Sequence, residues 1–227
     1  RGDGSSETWH PQFTYYGFRY VEVEGAVPVG ESNPGALPEV IDITGLHTRN
    51  SAAQVGTFAC SDPLFNKIHT LIDWAVRSNM ASVLTDCPHR EKLGWLEVTH
   101  LMGGSIQYRY DISRLYAKQV NDMRTAQHAN GMVPTIAPQY VTFSPDFIDT
   151  PEWGSAFVII PWNLYEWYGD LPPLRDNYER MKRYVDYLGS RADNHIVAYG
   201  LGDWYDIGPD RPGYAQLTSN GVTATAI

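Results

Sequence analysis

The sequence predicts a mainly helical protein with a β-structured segment at its N-terminal end. Three observations carry that expectation. After Cys60 the apolar period changes from two to about 3.6 residues, helical patterns then recur with Gly or Asn-Gly stops, and long aromatic connections separate them.

Residues 13–23 are rich in aromatic and β-branched side chains, with Glu22 and Glu24 alternating with valines before Gly25, which reads as a strand. Pro28, Pro34 and Pro38 make residues 26–39 a loop, because proline can continue neither a helix nor a central strand. A second strand is expected at about residues 40–48.

Leu64, Phe65, Ile68, Leu71, Ile72, Ala75 and Val76 then fall on one helical face, with Ser61 and Asp62 as a cap and Pro63 in the first turn. Helical patterns follow at residues 111–129, stopped by Asn130-Gly131, and at 173–188, stopped by Gly189. A pattern at 154–168 contains Pro161 and is expected to be kinked or offset there. The helices are read as successive and antiparallel. Residues 133–154 and 194–213 are connections of a length that is usually functional or else disordered, and their Trp, Tyr and Ile content argues against disorder.

Composition removes several function classes. With 43% hydrophobic and only 19% charged residues among 227, the chain has enough apolar mass for a sizeable core, so disorder is a poor reading. A net charge of −9 without clustered Lys or Arg argues against nucleic acid as a partner. No apolar run approaches the ~18–20 residues that span a bilayer, so no membrane span is expected, and residues 1–10 lack the basic start and apolar stretch of a signal peptide. Cys60 and Cys87 are too few for a disulfide framework, and the seven histidines show neither HExxH nor a close pair. No catalytic metal is expected. Without GxGxxG or GK[ST] patterns, no nucleotide cofactor is expected either.

The densest chemistry is in residues 85–100, which hold Asp86, Arg90, Glu91, Trp95 and Glu97. A carboxylic acid that donates a proton near neutral pH needs a raised pKa, which burial against an aromatic ring supplies. Glu91 and Trp95 form such a pair if the segment is helical, since residues four apart share a face. The alternative is that Asp86, Arg90 and Glu91 form a local ion-pair and cap cluster. Cys87 and His89, two apart, are more simply structural than a nucleophile and its base.

Two further loops repeat the theme: Asp149, Glu152 and Trp153 in IDTPEWG, and Asp203, Trp204 and Asp206 in GLGDWYDIG. A sugar offers hydroxyls to carboxylates and a weakly polarised C–H face to an aromatic ring. Each Trp alone is more simply a core residue, but three acid-plus-Trp sites together favour a carbohydrate cleft.

DCPHREKLGWLE, together with FTYYGFRYVEVEG, PEWGSAFVIIPW and GLGDWYDIGP, closely resembles bacterial α-L-rhamnosidases of glycoside hydrolase family 78. The resemblance covers essentially the whole chain. It implies a partial (α/α)6 catalytic barrel over residues 59–227, preceded at residues 1–58 by the C-terminal strands and linker of a β-sandwich domain. The implied activity is inverting hydrolysis of terminal non-reducing α-L-rhamnose from a rhamnose-containing glycoside or polysaccharide, without a cofactor.

By position, the resemblance makes Glu91 the general acid, Asp86 and Arg90 sugar-binding residues, and Trp95, Trp153 and Trp204 aromatic walls. Many members carry Gly-Asp shortly after the motif's Trp, where this chain has Leu96-Glu97-Val98, so Glu97 is expected to take over the sugar contact. Inversion needs a second carboxylate about 6.5–9.5 Å from the acid, and the resemblance places it beyond Ile227; within the chain, Glu152 and Asp203 would be the candidates. Residues 221–227 show no helical pattern, and the chain is expected to be a fragment. Two other readings remain, a non-catalytic carbohydrate-binding protein and a helical-barrel glycosidase acting on a different sugar.

Overall fold

The computed structural model describes residues 4–208, 212–213 and 217–227. It is mainly helical. Helix α1 (Pro63–Asn79) is followed by α2 (Leu96–Ile106), α3 (Ser113–Ala126), the single turns α4 (Pro145–Ile148) and α5 (Pro151–Gly154), α6 (Ala156–Tyr168), α7 (Pro172–Arg191) and α8 (Asn220–Ala226).

The start of α1 is the expected one: the Asp62 carboxylate accepts from the Leu64 amide at 2.8 Å and Pro63 opens the first turn. Its apolar face, however, stands open. Leu64, Phe65, Ile68, Leu71, Ile72 and Trp74 are exposed, and among the described residues of the helix only Val76 is buried.

The core lies around α6, AFVIIPWNLYEWY, whose apolar residues bury one side while Trp162 and Tyr165 on the other remain exposed. It packs against α2, α3 and α7 and buries Ala156, Phe157, Ile160, Pro161 and Leu164. The helical interruption falls at Ser155, between α5 and α6, and Pro161 lies inside the continuous α6. Gly169, in left-handed conformation, ends α6 and donates back to Leu164 and Tyr165, and Pro172 starts α7 three residues on.

Helix α2 has no counterpart among the sequence expectations, and it carries the Gly103-Gly104 pair, residues of low helix propensity. Packing explains Gly103: a Cβ there would come within 2.6 Å of the Tyr116 hydroxyl of α3, which donates to the Thr99 carbonyl at 2.6 Å. The glycine lets the two helices approach. Helix α8 was unexpected as well, its β-branched residues being poor helix formers. Tertiary bonds hold it, with the Asn220 amide on the Gly200 carbonyl at 2.8 Å and the Thr225 hydroxyl on Val197.

The expected strands are the main difference. Residues 13–23 and 41–48 form no strand, and Phe13, Phe18 and Tyr20 are exposed. A strand exists only as a ladder, and the one backbone–backbone hydrogen bond that residues 13–23 make among the described residues, from the Gly17 amide to the Pro88 carbonyl, does not make one. The pairing present is a two-residue parallel bridge, β1 (Val27–Pro28) with β2 (Glu39–Val40), closing what was read as a loop. A second short pair, β3 (Asp206–Ile207) with β4 (Pro212–Gly213), is antiparallel. Pro209, the last residue of the GLGDWYDIGP motif, lies outside the described residues.

Candidate active site

The motif at residues 86–95 is a turn, not a helix. The Asp86 carboxylate accepts from the Leu93 amide at 3.1 Å, and the Glu91 amide donates to the Cys87 sulfur at 3.1 Å, which gives Cys87 a turn-forming role. His89 is exposed. Glu91 and Trp95 nevertheless meet, the indole Nε1 donating to Glu91 Oε2 at 3.1 Å. The expected pairing is present, by a tight turn rather than by a shared helical face. Gly94 permits it, since a Cβ there would press Val83 at 3.0 Å and the Ala137 carbonyl at 3.1 Å.

Glu91 opens onto a cavity of about 490 Å³ lined by Asp86, Leu93, Trp95, Glu97, Val98, Phe143, Ser144, Phe147, Trp153, Leu201 and Trp204. Three loops and the start of α2 therefore bring together six of the seven candidate residues. The seventh, Arg90, is not in the lining; it is exposed and lies 3.7 Å from Glu91 in a surface ion pair. Such pairs contribute roughly 0–1 kcal/mol.

The three indoles differ in burial. Trp153 is only 3% exposed and belongs to the core, while Trp204 is 39% exposed at the rim. Sequence reasoning missed Phe143 and Phe147, which complete the wall. Phe143 stacks on Trp95 with centroids 5.2 Å apart and planes at 21°, and Phe147 meets Trp204 edge-on at 5.7 Å. Their signal was FSPDF inside a long loop already marked as functional: Pro145 starts the turn of α4 between the two rings.

The expectation that burial would surround Glu91 is corrected, because that residue is exposed at the cavity edge. Burial acts instead on its neighbours. Glu97 is pushed above the ordinary carboxyl range first by desolvation and then by the negative charges of Asp203 and Glu152. Glu152, buried outside the cavity lining, is raised chiefly by burial, with opposing hydrogen bonds that include one from the Thr223 hydroxyl at 2.9 Å. His100 Nε2 lies 2.7 Å from the Glu152 carbonyl, an acceptor, so this nitrogen carries a proton; burial lowers the pKa of the ring, against the hydrogen bond to Glu152, which raises it. Asp203 is exposed. Asp206 accepts from the Leu217 amide at 2.6 Å, and Asp149 binds Arg191 at 2.7 Å, so both serve loop structure. Among the described residues, no group of three or more His, Cys, Asp or Glu is placed to hold a metal ion.

Glu97 has a consequence for stability. Its folded-state pKa lies above the unfolded value, so between the two the folded state binds more protons and stability falls as pH rises through that window. Glu97→Gln keeps the shape and removes the ionisation. Above the window the variant is expected to melt at a higher temperature than the parent, and below it the two should coincide. Thermal denaturation from about pH 4 to about pH 8 reads this, and a pH-independent difference would contradict it.

A helical scaffold whose loops gather carboxylates and indoles around one cavity has the groups that a glycosidase-type carbohydrate domain requires. The chain is a member of the family described as the bacterial alpha-L-rhamnosidase 6 hairpin glycosidase domain, whose model matches residues 53–227. Residues 1–47 match the bacterial alpha-L-rhamnosidase concanavalin-like domain. Among curated relatives, an alpha-L-rhamnosidase of Formosa agariphila is 36% identical over 90% of this chain and 21% of its own length. One from Streptomyces avermitilis is 34% identical over 93% of this chain and 20% of its own length. The chain thus spans about a fifth of the length of these relatives.

Solved structures agree. The alpha-L-rhamnosidase from Dictyoglumus thermophilum aligns over 78% of this chain and 20% of its own, with TM-score 0.71 and 36% identity. The Streptomyces avermitilis enzyme complexed with L-rhamnose aligns over 78% of this chain and 16% of its own, with TM-score 0.69 and 32% identity.

Proposed function

We propose that the protein hydrolyses terminal non-reducing α-L-rhamnose from rhamnosides with inversion, and that this chain supplies the acid-bearing wall of the active site. The observation that carries the reading is the placement of Glu91 on one cavity with Trp95, Trp153 and Trp204, the Trp95 N–H resting on its carboxylate. In this reading residues 59–227 contribute helices to an (α/α)6 barrel, and residues 1–58 contribute strands to a β-sandwich domain. The family membership and the likeness to solved rhamnosidases support both assignments.

Each residue has a role. Protonated Glu91 gives its proton to the glycosidic oxygen as the bond to the anomeric carbon breaks, so that the aglycone leaves neutral. Asp86 and Glu97 accept sugar hydroxyls, and the indoles, with Phe143 and Phe147, face the C–H surfaces of the ring. Arg90, a sugar-binding residue by the resemblance, lies 3.7 Å from Glu91 on the same turn. An inverting mechanism also needs a carboxylate that activates water from the opposite side of the sugar. None of Asp86, Glu91 and Glu97 is assigned that task, and no cofactor is required.

Proton NMR of the full-length gene product acting on an aryl α-L-rhamnoside tests the reading. The first-formed sugar is expected to be β-L-rhamnose. The α anomer appearing first would remove inversion, and faster release of another sugar from a panel of aryl glycosides would remove rhamnose. Calorimetric binding of rhamnosides without any product would make the site a binding module.

A further inference from the structure

Lys92 stands between two residues of the cavity wall, Glu91 and Leu93, with a left-handed backbone at φ 57°. Glycine is the usual occupant of that conformation. A lysine there calls for a reason in its side chain. Its ammonium donates to the Tyr15 carbonyl at 3.0 Å and lies 3.9 Å from the centre of the Tyr16 ring and 5.3 Å from that of Tyr15. Both distances are within cation–π range.

The backbones touch as well. The Gly17 amide donates to the Pro88 carbonyl at 3.0 Å, and a Cβ at Gly17 would stand 3.3 Å from both His89 and Pro88. From the other side, the Tyr140 hydroxyl donates to the Lys92 carbonyl at 3.1 Å. The turn that presents Glu91 is therefore gripped by the N-terminal segment at two places and by the loop after α3 at a third.

We propose that Lys92, held by Tyr15 and Tyr16, is a positioning residue that fixes the turn of residues 86–93 and with it the carboxylate of Glu91. The N-terminal segment is then a working part of the active site. This inference rests on the reading of Glu91 as the acid. It explains why the position carries a lysine: glycine would satisfy the backbone but leave the segment at residues 15–17 without its grip.

Two substitutions separate the clamp from the backbone. Lys92→Gly accepts the left-handed conformation and deletes the ammonium; in the full-length gene product it is expected to lower kcat on an aryl α-L-rhamnoside on the order of tenfold. KM is expected to rise by a smaller factor than kcat falls, because of the sugar contacts only that of Asp86 sits on the same turn. Tyr16→Leu should act in the same direction, and Tyr16→Phe, which keeps the ring, should restore the parent kcat. Amide hydrogen exchange of residues 86–93, read by mass spectrometry, should quicken in Tyr16→Leu and stay unchanged in Tyr16→Phe.

Parent-like kcat in both Lys92→Gly and Tyr16→Leu overturns the proposal, as does unchanged exchange in Tyr16→Leu. The exchange measurement does not depend on turnover. A parent protein that hydrolyses no rhamnoside would defeat the functional reading, and exchange in Tyr16→Leu would still decide the clamp.

Discussion

Glu91→Gln is expected to lower turnover of an alkyl α-L-rhamnoside by about 10²–10⁴-fold, the range over which a positioned general acid acts. The amide keeps the size of the side chain and an oxygen for the Trp95 indole N–H, so the loss should fall on chemistry and not on folding. A leaving group that departs without a proton provides the control. With a rhamnoside of a strongly acidic nitrophenol, the same variant should lose far less. Equal losses on both substrates would mean that Glu91 serves the site in another way, and unchanged turnover would remove it from the mechanism.

The second large effect is on stability. Trp153 is 3% exposed and packs in the core beneath the cavity, so Trp153→Ala should cost about 3–5 kcal/mol, as large-to-small core substitutions at aromatic positions do. Urea denaturation measures this as a lowered midpoint with an unchanged slope. Trp204→Ala is the contrast. That ring is 39% exposed at the rim, so its removal should change stability by less than about 1 kcal/mol while weakening sugar binding. A comparable stability loss in both variants would refute the division of the indoles into floor and rim.

Much of this arrangement was legible in the residues. The helices at Pro63–Asn79, Ser113–Ala126 and Pro172–Arg191 follow from apolar period, caps and stops, which act locally. What escaped was decided by distant parts of the chain. Gly103 and the threonines of α8 give no helical signal of their own; what accounts for them is Tyr116 lying against the glycine and Glu152 and Val197 binding the threonines. Residues 13–23 show the opposite failure: the alternating pattern is genuine, but alternation describes a face and not the ladder that makes a strand.

The candidate site shows the same division. Asp86, Glu91, Trp95, Glu97, Trp153 and Trp204 were identified by residue type and motif resemblance, and they share one cavity. Phe143 and Phe147 were not, because a phenylalanine in a loop carries no chemical signature until its neighbours are known. The helical argument for Glu91 and Trp95 reached a contact that exists through geometry that does not. A turn can bring residues four apart together as well as a helix can.

The loop carrying Phe143 is fastened at both ends, by the Tyr140 hydroxyl on the Lys92 carbonyl and by the Thr135 hydroxyl on the Phe147 carbonyl at 2.9 Å. Residues 141 and 142, between those anchors, are exposed. Phe143, one residue beyond that exposed pair, stacks on Trp95, so the two fastenings fix where this ring stands on the cavity wall while the stretch between them stays in solvent.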